Sequence, residues 1–181
     1  SGAGGVTVNA LAADANLSNV SASGTVTANV ADNLDYSANT NIATVDAFVI
    51  AANKTGSFSA AQGAKTITLG SGSIAKVIAA SDISGTTLSA SVTKIDVSNS
   101  ATASLSAAQA QKDITLGSGA VAKLKVSTGT DVSGLTFDSD VTEFIVTSGT
   151  LTVSTAQATG RVISGAGGVT VNALAADANL S

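Results

Sequence analysis

The chain lacks the residues on which most enzyme chemistry depends. Its 181 residues include no His, Cys, Met, Trp or Pro, and only one Tyr and four Phe. Without His or Cys there is no imidazole base, no thiolate nucleophile and no zinc site built from the usual ligands. Any catalysis would have to use Asp, Lys, Ser and Thr. We therefore predict that the protein is not an enzyme.

Charge and hydropathy exclude further classes of protein. The chain has 8 basic and 12 acidic residues, a net charge of −4, and no basic stripe, so we expect no nucleic-acid partner. No apolar run approaches the roughly 20 residues of a membrane span. The chain starts at Ser1 without a signal sequence, which predicts a fragment or a processed product. The lack of cysteine suits a bacterial surface protein that is exported without forming disulfides.

An identical segment occurs at both ends of the chain. The sequence SGAGGVTVNALAADANLS occupies Ser1–Ser18 and again Ser164–Ser181. Self-similarity at a fixed period is typical of repeat architectures. We predict a single solenoid array over 1–181, in which 1–163 form one full period and 164–181 begin the next.

A shorter repeat lies inside this period. SFSAAQGAKTITLGSG at Ser57–Gly72 matches SLSAAQAQKDITLGSG at Ser104–Gly119, and Thr152–Gly167 is a weaker third copy. The offsets predict modules of about 47 residues near 57–103, 104–151 and 152–181. In two of the modules Ser precedes Ala-Ala-Gln, at Ser59–Gln62 and Ser106–Gln109, and this pattern predicts one capped helical turn.

Four segments alternate apolar and polar residues, as strands with one buried face do. Their third and fifth residues are apolar, and they are Ala75–Ala79, Thr93–Val97, Ala122–Val126 and Thr142–Val146. Related shorter segments are Val6–Val8, Thr25–Thr27 and Val45–Phe48. Strands stacked about 4.8 Å apart would bury these apolar residues and pair every backbone group, which the absence of proline allows.

The strands predict an all-β fold, a parallel β-solenoid (β-helix) of about 7 coils per 163-residue period. Their spacing predicts coils that alternate between about 20 and about 28 residues, within the range known for solenoid repeats. The second residue of each strand should face solvent, and these residues are Lys76, Lys94, Lys123 and Glu143. The phenylalanines are predicted to fill the core, whereas Tyr36 lies in a coil without a counterpart and is a candidate for an exposed contact.

The acidic residues are the candidates for a metal site. Asp131, Asp138 and Asp140 are close in sequence, and with Asp82 and Asp96 they could supply the oxygen ligands that calcium prefers. However, the chain contains neither an EF-hand loop nor a GGxGxD nonapeptide. We favour solvated corner residues, and therefore no cofactor, with calcium as the open alternative.

The same acidic residues are the candidates for a carbohydrate site. Glycoside hydrolases use a pair of carboxylates, so Asp131, Asp138 and Asp140 could serve a carbohydrate-binding or carbohydrate-cleaving β-helix. A single Arg and few aromatic residues leave little to hold a sugar. This hypothesis is the alternative to a non-catalytic function.

The repeats resemble those of a known group of proteins. The residues that carry the likeness are VTKIDV at Val92–Val97, then ASLSAAQ at Ala103–Gln109, and VTEFIVTSGTLTVSTAQA at Val141–Ala158. This pattern resembles the repeat regions of very large secreted bacterial surface proteins, adhesin-like and S-layer-like chains exported by type I systems. The resemblance implies an extracellular location at the bacterial cell surface and a structural or adhesive role without an active site. The calcium-binding nonapeptide common in such proteins is missing.

The sequence therefore predicts a non-catalytic structural or adhesive segment of an extracellular bacterial surface fibre or layer. Such a segment would be a stacking spacer or a filament-forming unit. Its predicted partners are copies of itself or adjacent repeats of the same chain, joined end to end, and cell-surface polysaccharide is a second candidate partner.

Overall fold

A computed structural model of the chain describes residues 4–172. The fold is all-β, with parallel strands stacked as a β-solenoid of about nine turns, and the predicted fold class is confirmed. The chain divides into two compact units. Unit 1 contains the residues up to Ala79 together with Thr86–Asp96, and unit 2 contains Ala80–Gly85 and the residues from Val97 onward.

Unit 1 contains two sheets. The strands are β1 (Val6–Val8), β2 (Val26–Val30), β3 (Leu34–Asp35), β4 (Ala47–Ile50), β5 (Thr55–Phe58), β6 (Thr66–Leu69), β7 (Ile74–Ala79) and β8 (Val92–Val97, its last residue in unit 2). One sheet has the order β1-β2-β4-β6, and in the other β3, β5, β7 and β8 follow one another. A 3₁₀ turn at Thr40–Ile42 and the short helix α1 (Ala60–Gly63) connect the strands.

Unit 2 is built in the same way. Its strands are β9 (Thr102–Leu105), β10 (Asp113–Leu116), β11 (Val121–Val126), β12 (Thr130–Asp131), β13 (Val141–Val146), β14 (Thr150–Ser154), β15 (Val162–Gly165) and β16 (Gly168–Asn172). The strand orders are β9-β11-β13-β15 and β12-β14-β16. A second short helix, α2 (Thr155–Ala158), follows β14.

The length of a turn differs from the prediction. Phe48 pairs with Ile67, Leu124 with Phe144, and Leu151 with Val169. Each of these turns therefore contains about 20 residues, at the short end of the range for solenoid repeats. The prediction of a second, longer class of coil is wrong. It resulted from counting strands of different sheets as one series. The long step from Val45–Phe48 to Ala75–Ala79 leads from β4, which pairs with β6, to β7, which pairs with β5 in the other sheet.

The predicted interior positions are confirmed. The third and fifth residues of all four alternating segments are buried, and they are Val77, Ala79, Ile95, Val97, Leu124, Val126, Phe144 and Val146. Most of these side chains are small and branched, which suits closely spaced parallel strands because equivalent residues of successive turns lie directly over one another.

Tyr36, the candidate for an exposed contact, is buried instead. Its side chain is 0% exposed and stacks on Phe58, with the ring centroids 5.8 Å apart. Its hydroxyl donates a hydrogen bond of 2.7 Å to the carbonyl oxygen of Leu11. Tyr36 follows an Asp and precedes a Ser, as Ile83 and Val132 do, and it takes the same interior place in its turn.

Candidate functional site

The structure does not bring the predicted acidic cluster together. Among residues 4–172, no group of three or more acidic side chains is placed so that it could hold a metal ion. The Asp131 carboxylate accepts hydrogen bonds from the amide and hydroxyl of Ser133, at 2.9 and 2.6 Å. The Asp138 carboxylate accepts from the amides of Asp140 and Ile114, at 2.9 and 3.2 Å. Asp131 and Asp138 therefore hold the backbone at corners of the solenoid.

The other two candidates, Asp82 and Asp96, are engaged in ion pairs. Asp82 lies 2.5 Å from the ammonium of Lys125, and Asp96 lies 2.6 Å from that of Lys76. The hydrogen bond from Lys125, followed by that from Ser84, lowers the pKa of Asp82 to about 2. The bonds from Ser133 likewise lower the pKa of Asp131. A glycosidase needs one carboxyl with a raised pKa as its acid, and these two shifts have the opposite sign.

Ion pairs also mark the outer face of the solenoid. Lys123 of β11 pairs in register with Glu143 of β13, with 2.6 Å between the charged atoms. Both side chains are partly exposed, as period-two alternation predicts for the second strand position. Such pairs contribute about 0–1 kcal/mol each, so they favour the correct register between turns more than overall stability.

A repeated glutamine connects successive turns from inside. Ser59 and Gln62 form a reciprocal capping box at α1, and Ser154 and Gln157 form another at α2. In each case the Gln Nε2 donates to backbone carbonyls of an earlier turn. The bonds of Gln62 go to Tyr36 and Asn39, at 3.0 and 2.7 Å.

The capped turn predicted at Ser59–Gln62 is confirmed, and the turn at Ser106–Gln109 shows the same capping bonds. The cross-turn hydrogen bonds were not predicted. The regular recurrence of Gln after a capping Ser was the signal for them, because a glutamine kept beside apolar alanines needs buried partners.

Unit 1 contains an apolar cavity of about 340 Å³ between the 3₁₀ turn and α1. Its lining includes the buried side chains of Ile42, Val45 and Phe48 and the partly exposed Lys65. Phe48 is 1% exposed, so its ring face is not available for stacking on a sugar. None of the acidic candidates lines this cavity, which therefore lacks the carboxylates that the carbohydrate hypothesis requires.

The strands at the ends of the described chain share one sequence. GVTVN occurs at 5–9, where it includes β1, and at 168–172, where it forms β16. β1 pairs with the strand that follows it, Val6 lying opposite Val26. β16 pairs with β14, which lies earlier in the chain, and Val169 is opposite Leu151. The same strand sequence thus uses a different neighbour in each of its two copies.

Both copies are terminal in their sheets. Within the described residues, β1 and β16 each have a strand neighbour on one edge only. Val169 is 43% exposed, and Val162 of the terminal strand β15 is 61% exposed. Exposed edges with uncovered apolar residues are templates for the addition of a further strand.

Comparisons of the chain with protein-family models, curated protein sequences and solved structures find no match. In residues 4–172 the helices are too short to cross a bilayer.

Proposed function

We propose that the chain is a non-catalytic structural segment of an extracellular bacterial surface fibre or layer, in which successive periods stack as one continuous solenoid. The observation that carries this proposal is the duplicated strand GVTVN. Within residues 4–172, one copy pairs with the later strand β2 alone, and the other pairs with the earlier strand β14 alone. A single strand with both neighbours would join one period to the next.

The two registers are compatible with such a junction. Val169 occupies the same place in the repeat as Val6, Leu151 lies opposite Val169, and Val26 lies opposite Val6. Superimposing the two copies gives a file of apolar residues that runs from β14 through the shared strand into β2. The sequence spacing of both pairs matches that of the other paired strands. The ladder would therefore continue across the junction without an insertion or a cap.

The chemistry of the side chains supports a mechanical rather than a catalytic role. Asp82, Asp96, Asp131 and Asp138 are engaged in holding corners or in ion pairs between turns. The extracellular location is supported by the absence of cysteine and by the resemblance of the repeats to those of secreted surface proteins. A surface fibre needs length and stiffness, and stacked turns supply both at about 4.8 Å per turn.

A chain with two consecutive periods tests this proposal. Residues 1–163 are placed directly before the full 1–181 chain, so that the internal GVTVN strand has neighbours on both sides. We expect its amide protons to exchange more slowly than those of β16 in the single chain, and the denaturation midpoint to rise because an interface is added. Unchanged amide exchange and an unchanged denaturation midpoint would show that the two periods fold independently of each other.

The carbohydrate alternative is tested on the 181-residue chain. The variant with Asp131, Asp138 and Asp140 all changed to Asn is compared with the parent chain for turnover and binding of bacterial polysaccharides. We expect the parent chain to cleave no polysaccharide and the substitutions to alter no binding. Cleavage or binding that the substitutions remove would favour the alternative. Calcium and a chelator are added in parallel, and we expect neither to change the denaturation midpoint.

A further inference from the structure

We propose that β16 is an exchangeable strand, which occupies on β14 the place that β1 of a second copy fits in the same register. The inference rests on the proposed function, because it describes how separate copies would form the junction that consecutive periods form within one chain. The partner is a second copy of this chain, and the surface that binds it is the edge of β14.

The edge of β14 is a well-formed acceptor. Leu151 and Val153 are fully buried, and five residues of β14 pair with five of β16 from Thr150–Gly168 to Ser154–Asn172. A strand that adds here gains a complete parallel ladder through its backbone, and its alternate side chains meet a preformed apolar row.

β16 is held there weakly. Four of its five residues are exposed and only Val171 is partly buried. The side-chain bonds that anchor Asn172 are long, 3.3 Å to the Ser133 hydroxyl and 3.4 Å from the Thr155 hydroxyl to its carbonyl. A terminal strand with little burial lies at the low end of local stability, so it opens far more often than the buried strands do.

β1 of a second copy satisfies the same requirements. Residues 4–9 are identical to 167–172, so an incoming strand offers the same backbone and the same valines. β1 pairs with β2 along one edge, and within the described residues its other edge has no strand neighbour. It can therefore bind β14 of another copy without leaving its own sheet, whereas β16 in place blocks that position.

Two equivalent glycines allow the exchange to be tested. A Cβ on Gly167 would lie 2.4 Å from Cγ1 of Val146 and 2.7 Å from the carbonyl oxygen of Gly149, so alanine does not fit where β16 enters the β14 edge. Gly4, its counterpart in the repeat, has nothing within 4 Å of the same position. Alanine at Gly4 therefore leaves the isolated chain undisturbed, but it meets the Gly167 contacts once β1 binds the β14 edge of another copy.

The experiment compares the full chain with G167A, G4A and the double variant G4A/G167A by sedimentation velocity over a hundredfold concentration range. We expect G167A to lower the apparent dissociation constant for end-to-end association at least tenfold, because β16 no longer competes. G4A alone should associate no more than the parent chain, and the double variant should lose the gain. Equal association of G167A and the double variant would overturn the proposal, as would no gain in G167A.

A second measurement excludes misfolding as the cause. The labelled peptide SGAGGVTVNALAADANLS is titrated into each protein. It should bind G167A with one-to-one stoichiometry and at least tenfold more tightly than the parent chain, and the same peptide with Gly4→Ala should not bind. Equal binding of both peptides, or binding of neither, would overturn the exchange. If the two-period chain still shows slow exchange of its internal strand, the proposed function stands without this inference.

Discussion

The side-chain amide of Gln157 lies 2.7 Å from the carbonyl oxygen of Val132, 25 residues earlier in the chain. The same nitrogen donates to the carbonyl of Leu135 at 2.8 Å, and the Gln157 Oε1 accepts from the amide of Ser154. One 7%-exposed side chain thus pairs three backbone groups and joins two turns. Gln62 and Gln109 make equivalent bonds, so this glutamine connects successive turns in each module.

Replacing Gln157 by Leu should therefore cost more than its size predicts. The volume is nearly conserved, but the carbonyl of Leu135 and the amide of Ser154 lose the bond to Gln157, and the carbonyl of Val132 keeps only the bond from the Leu135 amide. We expect a loss of about 1–3 kcal/mol in the free energy of unfolding, measured by urea denaturation. Gln111→Leu is the matched control, because Gln111 is exposed, and its effect should stay within about 0.5 kcal/mol. Similar losses in both variants would show that the hydrogen bonds of Gln157 are not the cause of the loss.

Tyr36 predicts a dependence of stability on alkaline pH. Burial, followed by the charge of Asp32, raises the pKa of Tyr36 to about 12. Above about pH 10 the unfolded chain loses the phenolic proton while the folded chain keeps it, so stability is fully present below pH 10 and falls as the pH rises towards 12. The loss from this group approaches about 3 kcal/mol.

The control for this dependence is Tyr36→Phe. At pH 8 the variant should be less stable by about 1–2 kcal/mol, because the carbonyl of Leu11 loses its donor. Between pH 10 and 12 that difference should shrink, since phenylalanine has no proton to lose. Urea midpoints at pH 8, 10 and 11.5 measure it. A constant difference across that range would show that the Tyr36 hydroxyl does not titrate as argued.

How much of the fold could be predicted depended on how many residues of a strand show the apolar pattern. Strands β7, β8, β11 and β13 were predictable because each predicted segment has a charged second residue and apolar third and fifth residues, which indicates one buried face. β6 was not predicted because Ile67 is its single buried residue, and the coil lengths were wrong because β7, the next strand counted after β4, lies in the other sheet of unit 1. The correct length of a solenoid turn follows from which strands pair although they are distant in sequence, and a local sequence pattern does not show that pairing.

The candidate site shows the same limit. Asp131, Asp138 and Asp140 are neighbours in sequence, which suggested a cluster of ligands. Whether a carboxylate points at a metal or at a backbone amide depends on the corner it occupies, as the bond from Ile114 to Asp138, 24 residues apart, illustrates. Tyr36 was predictable in principle, since Asp35-Tyr36-Ser37 has the form of Asp82-Ile83-Ser84. It was missed because its turn lies outside the repeated modules.

A comparison of Asp82 with Asp131 distinguishes the effect of the ion pair on the pKa from the effect of the hydrogen bonds donated by serine. Both carboxylates accept bonds from a Ser two residues later, but Asp82 alone pairs with a lysine, Lys125. Lys125→Met should therefore raise the pKa of Asp82 from about 2 towards the usual value near 4, and leave the pKa of Asp131 unchanged. Carboxyl-carbon NMR titration measures both groups in one experiment, and a shift of both would refute the assignment.

The stability contributed by this pair has a defined sign and a small size. Since the folded pKa of Asp82 lies below the unfolded one, the contribution is present above about pH 4 and disappears as the pH falls towards 2. The two side chains are 34% and 45% exposed, so solvent screens the pair and its contribution is under about 1 kcal/mol. A loss at pH 7 well above that value in Lys125→Met would show that the lysine stem packs as well.

Gly63 is the position where the three modules differ most informatively. Alanine occupies the equivalent place at Ala110 and Ala158, yet at Gly63 an added Cβ would lie 2.4 Å from Cγ2 of Val77. Val77 is fully buried and stiff at χ1, so it cannot turn away without disturbing the stack. Gly63→Ala should therefore destabilise the protein by about 1–3 kcal/mol, although it introduces the residue that the other modules have.

A smaller side chain at Val77 should make room for the Cβ that Gly63→Ala adds. Val77→Ala removes the obstructing methyl groups, and it should destabilise the chain by about 1–3 kcal/mol because it leaves a cavity. In the double variant the new Cβ partly fills that space, so the combined loss should be smaller than the two single losses added together. Gly85→Ala, where nothing lies within 4 Å, controls for the effect of a methyl group alone and should change stability little. Strict additivity of the first two substitutions would show that the contact between Gly63 and Val77 is not what excludes a side chain there.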